Sequence, residues 1–342
     1  MIRFLKQRWF LLLLAMVLVV GIGSGTRLRP LADLKWLRDA DVAAVLFLMA
    51  LPLDAATIWR TIRRPLAAVL AVLVSFVVLP LVAWGVSLVV GGGQGPGLLI
   101  AAATPCTVAS AAVWTRRAGG NDAIATLVTV LTNALCFIVT PLWLLVFFGG
   151  EARSDELEFG QAVLQLGRLV VIPMIAAQLA RLYRPLAAWA FRHKVALSVL
   201  AQCGILYMVL IGAVQTGLQF AGHAGAPALV PGPFDFAVML AAVALVHTSM
   251  CWFGFQLAGW CGLPRDEQIA VGFSGSQKTL MIGLKVALDN HMSILPMVTF
   301  HVSQLLIDTL IADRLARGSP PARTVLPPPP SSGTPSAGSS CS

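Results

Sequence analysis

Gly95 to Asn133 reads G-P-G-L-L-I-A-A-A-T-P-C-T-V-A-S-A-A-V-W-T-R-R-A-G-G-N-D-A-I-A-T-L-V-T-V-L-T-N. An apolar helix enters at Gly97 and meets Pro105 about half a membrane span later. Proline has no N–H to donate and clashes with the preceding turn, so the helix is expected to break there. Thr104, Cys106, Thr107 and Ser110 surround the break, small and mostly polar. In lipid, freed backbone groups are tolerated only where protein or a water-filled cavity satisfies them. A broken helix carrying hydroxyls at mid-depth is therefore a candidate binding site, and otherwise a kinked packing helix.

A second stretch has the same character. Asp266 to Asn290 reads D-E-Q-I-A-V-G-F-S-G-S-Q-K-T-L-M-I-G-L-K-V-A-L-D-N, apolar at both ends, with Gly272, Ser274, Gly275, Ser276, Gln277, Lys278 and Thr279 in its middle. Two interrupted apolar segments at corresponding places in two halves point to a transporter site, with the breaks expected near Pro105 and Gly275 and side by side.

The composition sets the class. The 342 residues are 58% hydrophobic and 11% charged, with mean hydropathy +0.83. That much apolar surface exceeds what a soluble domain buries, so an all-α polytopic membrane protein in a lipid bilayer is expected. The net charge of +9 sits in short segments between apolar runs, which fits an orientation signal rather than nucleic-acid binding. Cys106, Cys136, Cys203, Cys251, Cys261 and Cys341 form no C-x-x-C pair. They read as free thiols, with no disulfide framework and no metal site.

Ten spans are expected, at residues about 9–24, 41–58, 65–90, 97–115, 122–148, 162–183, 186–218, 234–260, 266–290 and 292–312. The first resembles a signal peptide, but the nine that follow favour an uncleaved helix. Charged residues Glu151 to Glu158 and a Gly/Pro-rich segment from Gly222 read as loops, and residues 316–342 as a disordered Pro/Ser-rich tail. Arginine and lysine crowd one set of connections, around Arg60 to Arg64, Arg116, Arg117, Arg181 to Lys194 and Arg265. The other set holds Arg27, Arg29, Lys35, Arg38 and Arg153. The bias places both termini in the cytoplasm, with the segment Arg27 to Arg38 discordant. Five spans per half make the halves inverted repeats about an axis in the membrane plane. Spans five and ten carry matching marks, V-T-V-L-T-N from Val128 and V-T-F-H-V-S-Q from Val298. Thr129 and Asn133, like Thr299 and Ser303, share one helix face. Each alone fits interhelical glue; opposite two broken helices, both faces together favour a site.

With these residues the chain resembles the bile acid:sodium symporter family, solute carrier family 10, over about residues 9–314. P-C-T-V-A-S from Pro105 is similar to the family's crossover. A-G-G-N at Ala118 to Asn121, S-Q-K-T-L from Ser276 and Q-L-A-R from Gln178 look most like its "member seven" bacterial branch. The resemblance implies one transmembrane domain over residues 1–315. Spans three to five and eight to ten would form a core in which broken helices four and nine cross, and spans one, two, six and seven a panel. It also implies a bacterial inner (cell) membrane location and no cofactor beyond sodium as a coupling ion. Ser110 and Thr129 match one sodium site, with Thr126 and Asn133 nearby, although the family asparagine after that serine is Ala111 here. A glutamine of the second sodium site is replaced by Ser75. A glutamate of that site has no counterpart between Ile269 and Val286, which leaves Gln277 as the candidate for one retained ligand.

Lys278 instead brings a positive charge, which costs about 2.5–3.5 kcal/mol at a bilayer centre on insertion scales and should be compensated. It could neutralise an anionic substrate, replace a sodium ion's charge, carry protons, or simply pack against carbonyls of the broken helix. The expected substrate and coupling set is Lys278, Gln277, Ser276, Thr104, Thr107, Asn133 and Ser303, with Ser110, Thr129, Thr126 and Ser75 as a conditional sodium set. His247, His301 and Arg168 are weaker candidates. The function expected is secondary active transport of a small organic anion, coupled to sodium or protons. The alternative is a non-transporting membrane regulator with the same fold. An enzyme is disfavoured, because no catalytic constellation stands out.

Overall fold

The computed structural model describes residues 2–53, 65–91, 93–108, 110–149, 155–221, 232–290 and 292–318. They are predominantly helical, and no strand occurs among the described residues. Helix α1 is Ile2–Gly23, α2 Gly25–Ala32 and α3 Lys35–Ala50. Helix α4 spans Pro65–Ser87 with a π-wound turn at Val74–Val78. Helices α5 (Gly95–Ala103) and α6 (Ser110–Arg117) flank the first break, and α7 is Asp122–Phe148. Helix α8 runs Asp155–Leu166, winds as π over Gly167–Val171 and ends with Ile172–Ala180. Then come α9 (Arg184–Arg192), α10 (Lys194–Phe220) and α11 (Pro233–Trp260). Helices α12 (Arg265–Ser276) and α13 (Leu280–Asp289) flank the second break, and α14 is Leu295–Gly318.

Six of these stretches, in α4, α7, α8, α10, α11 and α14, are long and apolar enough to cross a membrane. The apolar part of α1 and the whole of α2 pass the same test only as a pair, bent by 103°. Large apolar side chains such as Val69, Leu142, Leu179, Val199, Leu245 and Leu310 face outward on these helices, as lipid-facing surfaces require.

Two packing groups meet. Helix α10 lies along α1, α2 and α3, and α8 packs on both α3 and α7. Helix α12 is wrapped by α4, α6, α7 and α11, while α14 lies against α5, α6 and α11. Short helix α13 touches both groups, through α3 and α10 on one side and α5 and α14 on the other.

The motifs have physical explanations in these joints. In A-G-G-N, Gly119 has φ +80°, a conformation open to glycine. At Gly120 a Cβ would lie 2.6 Å from Ile269 Cγ2, so only glycine allows α12 this close. Asn121 then caps α7, its side chain accepting from Ala123 N at 3.1 Å. In Q-L-A-R, Gln178 donates to Ala50 O at 2.9 Å and Arg181 to Leu51 O at 2.7 Å. These are carbonyls at the end of α3, where helical partners run out; Ala50 O also accepts from Leu53 N at 3.1 Å.

Some expected boundaries shift. The span expected at 41–58 is helical from Lys35, and its end beyond Leu53 lies outside the described residues. The segment expected as a loop from Arg27 to Arg38 is instead the end-to-end pair α2 and α3. Charge in a first helical turn had read as a connection, yet Arg38 is buried. The span expected at 186–218 divides at His193 into α9 and α10. Helix α8 begins inside the expected acidic loop, at Asp155. The segment Arg60 to Arg64, residues 222–231 and the tail from Ser319 lie outside the described residues.

Candidate functional site

The site begins with a winding defect in α4. In the π turn, Leu79 N–H bonds Val74 O and leaves Ser75 O free. Pro80, one residue on, has no N–H for Phe76 O. Trp143 donates its indole N–H to Phe76 O at 2.7 Å. Lys278 donates its ammonium to Ser75 O at 2.6 Å and Ser75 Oγ at 3.1 Å. A proline and one π turn thus create the acceptor that holds a buried lysine.

The first break opens where Thr104 turns extended, with ψ 159°. Five successive carbonyls then each meet a donor from a different residue. Ala103 O accepts from Thr140 Oγ1 at 2.8 Å, Thr104 O from Lys278 Nζ at 2.8 Å and Pro105 O from Thr279 N at 2.8 Å. Cys106 O accepts from Asn133 Nδ2 at 2.9 Å, and Thr107 O from Thr129 Oγ1 at 3.1 Å. No carbonyl of this run is left bare, as an apolar setting demands.

The second break comprises Gln277, Lys278 and Thr279, with Gln277 and Thr279 extended. It lies two residues beyond the expected Gly275, and its bond from Thr279 N to Pro105 O sets the two breaks side by side. Each break has one residue whose N–H and C=O are both taken by side chains of the following long helix. Cys106 N donates to Thr132 Oγ1 at 3.2 Å while Asn133 serves its carbonyl. Lys278 N donates to Gln304 Oε1 at 2.9 Å, and Gln304 Nε2 returns to Lys278 O at 2.9 Å.

A chain of hydrogen bonds joins the breaks on their other side. Thr107 Oγ1 and Ser110 Oγ are 2.5 Å apart, and Ser110 Oγ donates to Gln277 Oε1 at 2.8 Å. Gln277 Nε2 donates to Asp308 Oδ2. Asp308 Oδ1 lies 2.8 Å from His247 Nε2, with both side chains fully buried. His247 Nδ1 faces Ser276 O at 3.3 Å.

The expected residues therefore divide. Lys278, Gln277, Ser276, Thr104, Thr107, Asn133, Ser110 and Thr129 all fall in this cluster. Ser75 joins it by way of the lysine. Thr126 bonds Asp122 O within its own helix at 2.8 Å. Ser303 is buried, and Gln304 beside it makes the contact to the break. His301 Nδ1 lies 3.0 Å from Gln304 Nε2, while Arg168 is exposed on the π turn of α8. Asn133 Oδ1 is buried with no hydrogen-bond partner among the described residues.

Sequence reading missed Asp308 and Gln304. The acid absent from span nine comes to Gln277 from α14 and pairs with His247, while Lys278 is met by the oxygens of Ser75 and Thr104. A lone Asp within an apolar run was the available signal, since a charge at such a place is costly and needs a partner.

Two broken helices joined to each other amid long apolar helices define an integral membrane protein built in the manner of a transporter. The chain belongs to the SBF-like CPA transporter family, whose model matches residues 8–317. It is 26% identical over 329 residues to an uncharacterized protein of Pseudomonas aeruginosa, covering 92% of this chain and 94% of that protein. Sodium/bile acid cotransporter 7-B of Xenopus laevis is 24% identical over 327 residues, 90% of this chain and 91% of its own. Sodium/bile acid cotransporter 7 of Danio rerio is 28% identical over 225 residues, 63% of each chain. These likenesses bear out the resemblance to the bile acid:sodium symporter family and to its member-seven branch.

Proposed function

We propose that the chain is a secondary active transporter that moves a small organic anion across a bacterial inner membrane by alternating access. The observation that carries this reading is the joining of the two breaks, with the Lys278 ammonium shared between Ser75 O and Thr104 O. Backbone left irregular at depth is a costly arrangement that transporters retain for binding. In this reading the ten segments form two inverted repeats, N- and C-termini inside. Core spans three to five and eight to ten move against a panel of spans one, two, six and seven.

Lys278 takes the place of a second sodium ion. Three oxygens surround its ammonium, from Ser75 O, Ser75 Oγ and Thr104 O, much as a cation site would be furnished. A sodium ion beside it would be repelled. A first cation site, if used, draws on Ser110, Thr129 and the unpartnered Asn133 Oδ1; otherwise protons drive transport. The relatives' names speak of sodium and bile acid, and this chain carries over from them coupled anion uptake. Uptake of a labelled metabolite mixture into proteoliposomes, under imposed sodium and then proton gradients, tests the reading. Accumulation under one gradient is expected; none under either contradicts it.

A further inference from the structure

From Phe159 to Phe234 the sequence holds no aspartate or glutamate, and within it Arg181 to Lys194 reads R-L-Y-R-P-L-A-A-W-A-F-R-H-K. That stretch joins two apolar helices, the part of α8 that ends at Ala180 and α10 from Lys194. Helix α9 does not project away from them. Its Ala190 is buried in one cluster with Ala50 and Leu51 at the end of α3, Ala177 of α8 and Leu197 of α10. Ala177 and Leu197 each lie about one turn inside their helices. Helix α9 therefore lies across the helix ends, where an apolar span gives way to the headgroup layer.

The opposite face of α9 suits that layer. Arg184, Ala188 and Arg192 follow at four-residue spacing, which puts them on one helix face, and all three are exposed. Trp189 and Phe191 flank that face and are exposed by 44% and 62%. Leu182 and Tyr183, at the entry to the helix, are exposed as well. Rings beside cations are the side chains that settle at a membrane surface. Lys194 joins from the start of α10, its Nζ 5.0 Å from the Phe191 ring centroid. Arg181 instead points inward, to Leu51 O. Arg184, Arg192 and Lys194 form no ion pair among the described residues. Asp39 and Asp41 of α3 sit in its first two turns, whereas α9 packs on its last.

We propose that this face of α9, together with Lys194, is a docking surface for the headgroups of anionic phospholipids in the adjoining leaflet. A guanidinium fork fits two phosphate oxygens, and Lys194 adds a point charge. Charge decides between lipids. Three cations with no acid beside them favour a headgroup of net negative charge over a zwitterionic one, whose ammonium finds no carboxylate here. The rings of Tyr183, Trp189 and Phe191 decide between a lipid and a soluble anion, because only a lipid brings apolar chains to cover them. The surface lies apart from the two breaks, and the inference stands whether or not those breaks move a solute.

The purified full chain is reconstituted in vesicles of equal parts phosphatidylcholine and phosphatidylglycerol with matched acyl chains. It is then taken up in mild detergent, and the retained lipid is counted by native mass spectrometry. Phosphatidylglycerol is expected in excess over phosphatidylcholine, and the excess should shrink at high salt. Arg184→Gln and Arg192→Gln should each lower the relative retention about fivefold, and adding Lys194→Gln to both should lower it about a hundredfold. All three side chains are exposed, so the thermal midpoint in detergent should hold, and the single variants carry the test if the triple one unfolds. Lys35→Gln, an exposed lysine at the far end of α3, should leave the excess unchanged. No excess of phosphatidylglycerol, an excess that survives Arg184→Gln and Arg192→Gln, or an equal loss in Lys35→Gln would each overturn the proposal. So would removal of the excess by soluble glycerol phosphate, which would make this a site for a free anion.

Discussion

Lys278 and Thr104 lie on opposite breaks, 174 residues apart in sequence, and the ammonium of one donates to the carbonyl of the other at 2.8 Å. The same ammonium holds the Ser75 carbonyl that the π turn of α4 sets free, and Phe76 offers it a ring face 5.6 Å away. One side chain thereby fastens the first break, the second break and the defect in α4.

Replacing Lys278 with Met should leave Ser75 O and Thr104 O unpaired at a cost of about 1–3 kcal/mol each. Thermal unfolding in detergent should show the loss as a lower midpoint. An unchanged midpoint would mean that those carbonyls find water instead.

Gln304→Leu removes both partners of the Lys278 backbone. About 1–3 kcal/mol per stranded group is expected, with Gln304→Glu intermediate because it still accepts from Lys278 N. Equal stability of the two variants would show that the paired contact does not hold the break.

Asp308→Asn strips the charge from the buried partner of His247. Asparagine keeps one acceptor oxygen where the carboxylate had two, so the contact to Gln277 or that to His247 is lost, at a cost of about 1–3 kcal/mol. The double variant with His247→Gln should lose less than the sum of the two single losses. Simple additivity would indicate that the residues act independently.

Legibility varied with how each element announces itself. Helices α7 and α11 start within one residue of expectation because a cap, Asn121, and a proline, Pro233, precede unbroken apolar runs. The first break was legible from Pro105. The second has no proline, and its position was set two residues early, at glycine, because its stops are tertiary: Gln304 and Pro105 O. Helix α3 was placed late since Lys35, Arg38, Asp39 and Asp41 look like a loop until α2 and α13 are seen beside them. Asp308 escaped notice because its partners His247 and Gln277 lie 61 and 31 residues away.

Packing at Gly120 gives a prediction independent of polarity. Gly120→Ala would set a methyl 2.6 Å from Ile269 Cγ2 and should destabilise by about 1–3 kcal/mol. Gly85→Ala, where nothing lies within 4 Å, should be neutral or slightly stabilising, as alanine suits a helix better by about 0.5–1 kcal/mol. A similar response at both positions would place α12 farther from the A-G-G-N turn than described.

The most direct measurement is the sodium dependence of anion uptake in proteoliposomes, for the native chain and for Lys278→Gln. If the lysine replaces one ion, native uptake should saturate hyperbolically with sodium, or ignore sodium and follow the proton gradient, and Lys278→Gln should transport weakly. A sigmoidal, two-sodium dependence in the native chain, kept unchanged in Lys278→Gln, would contradict the account.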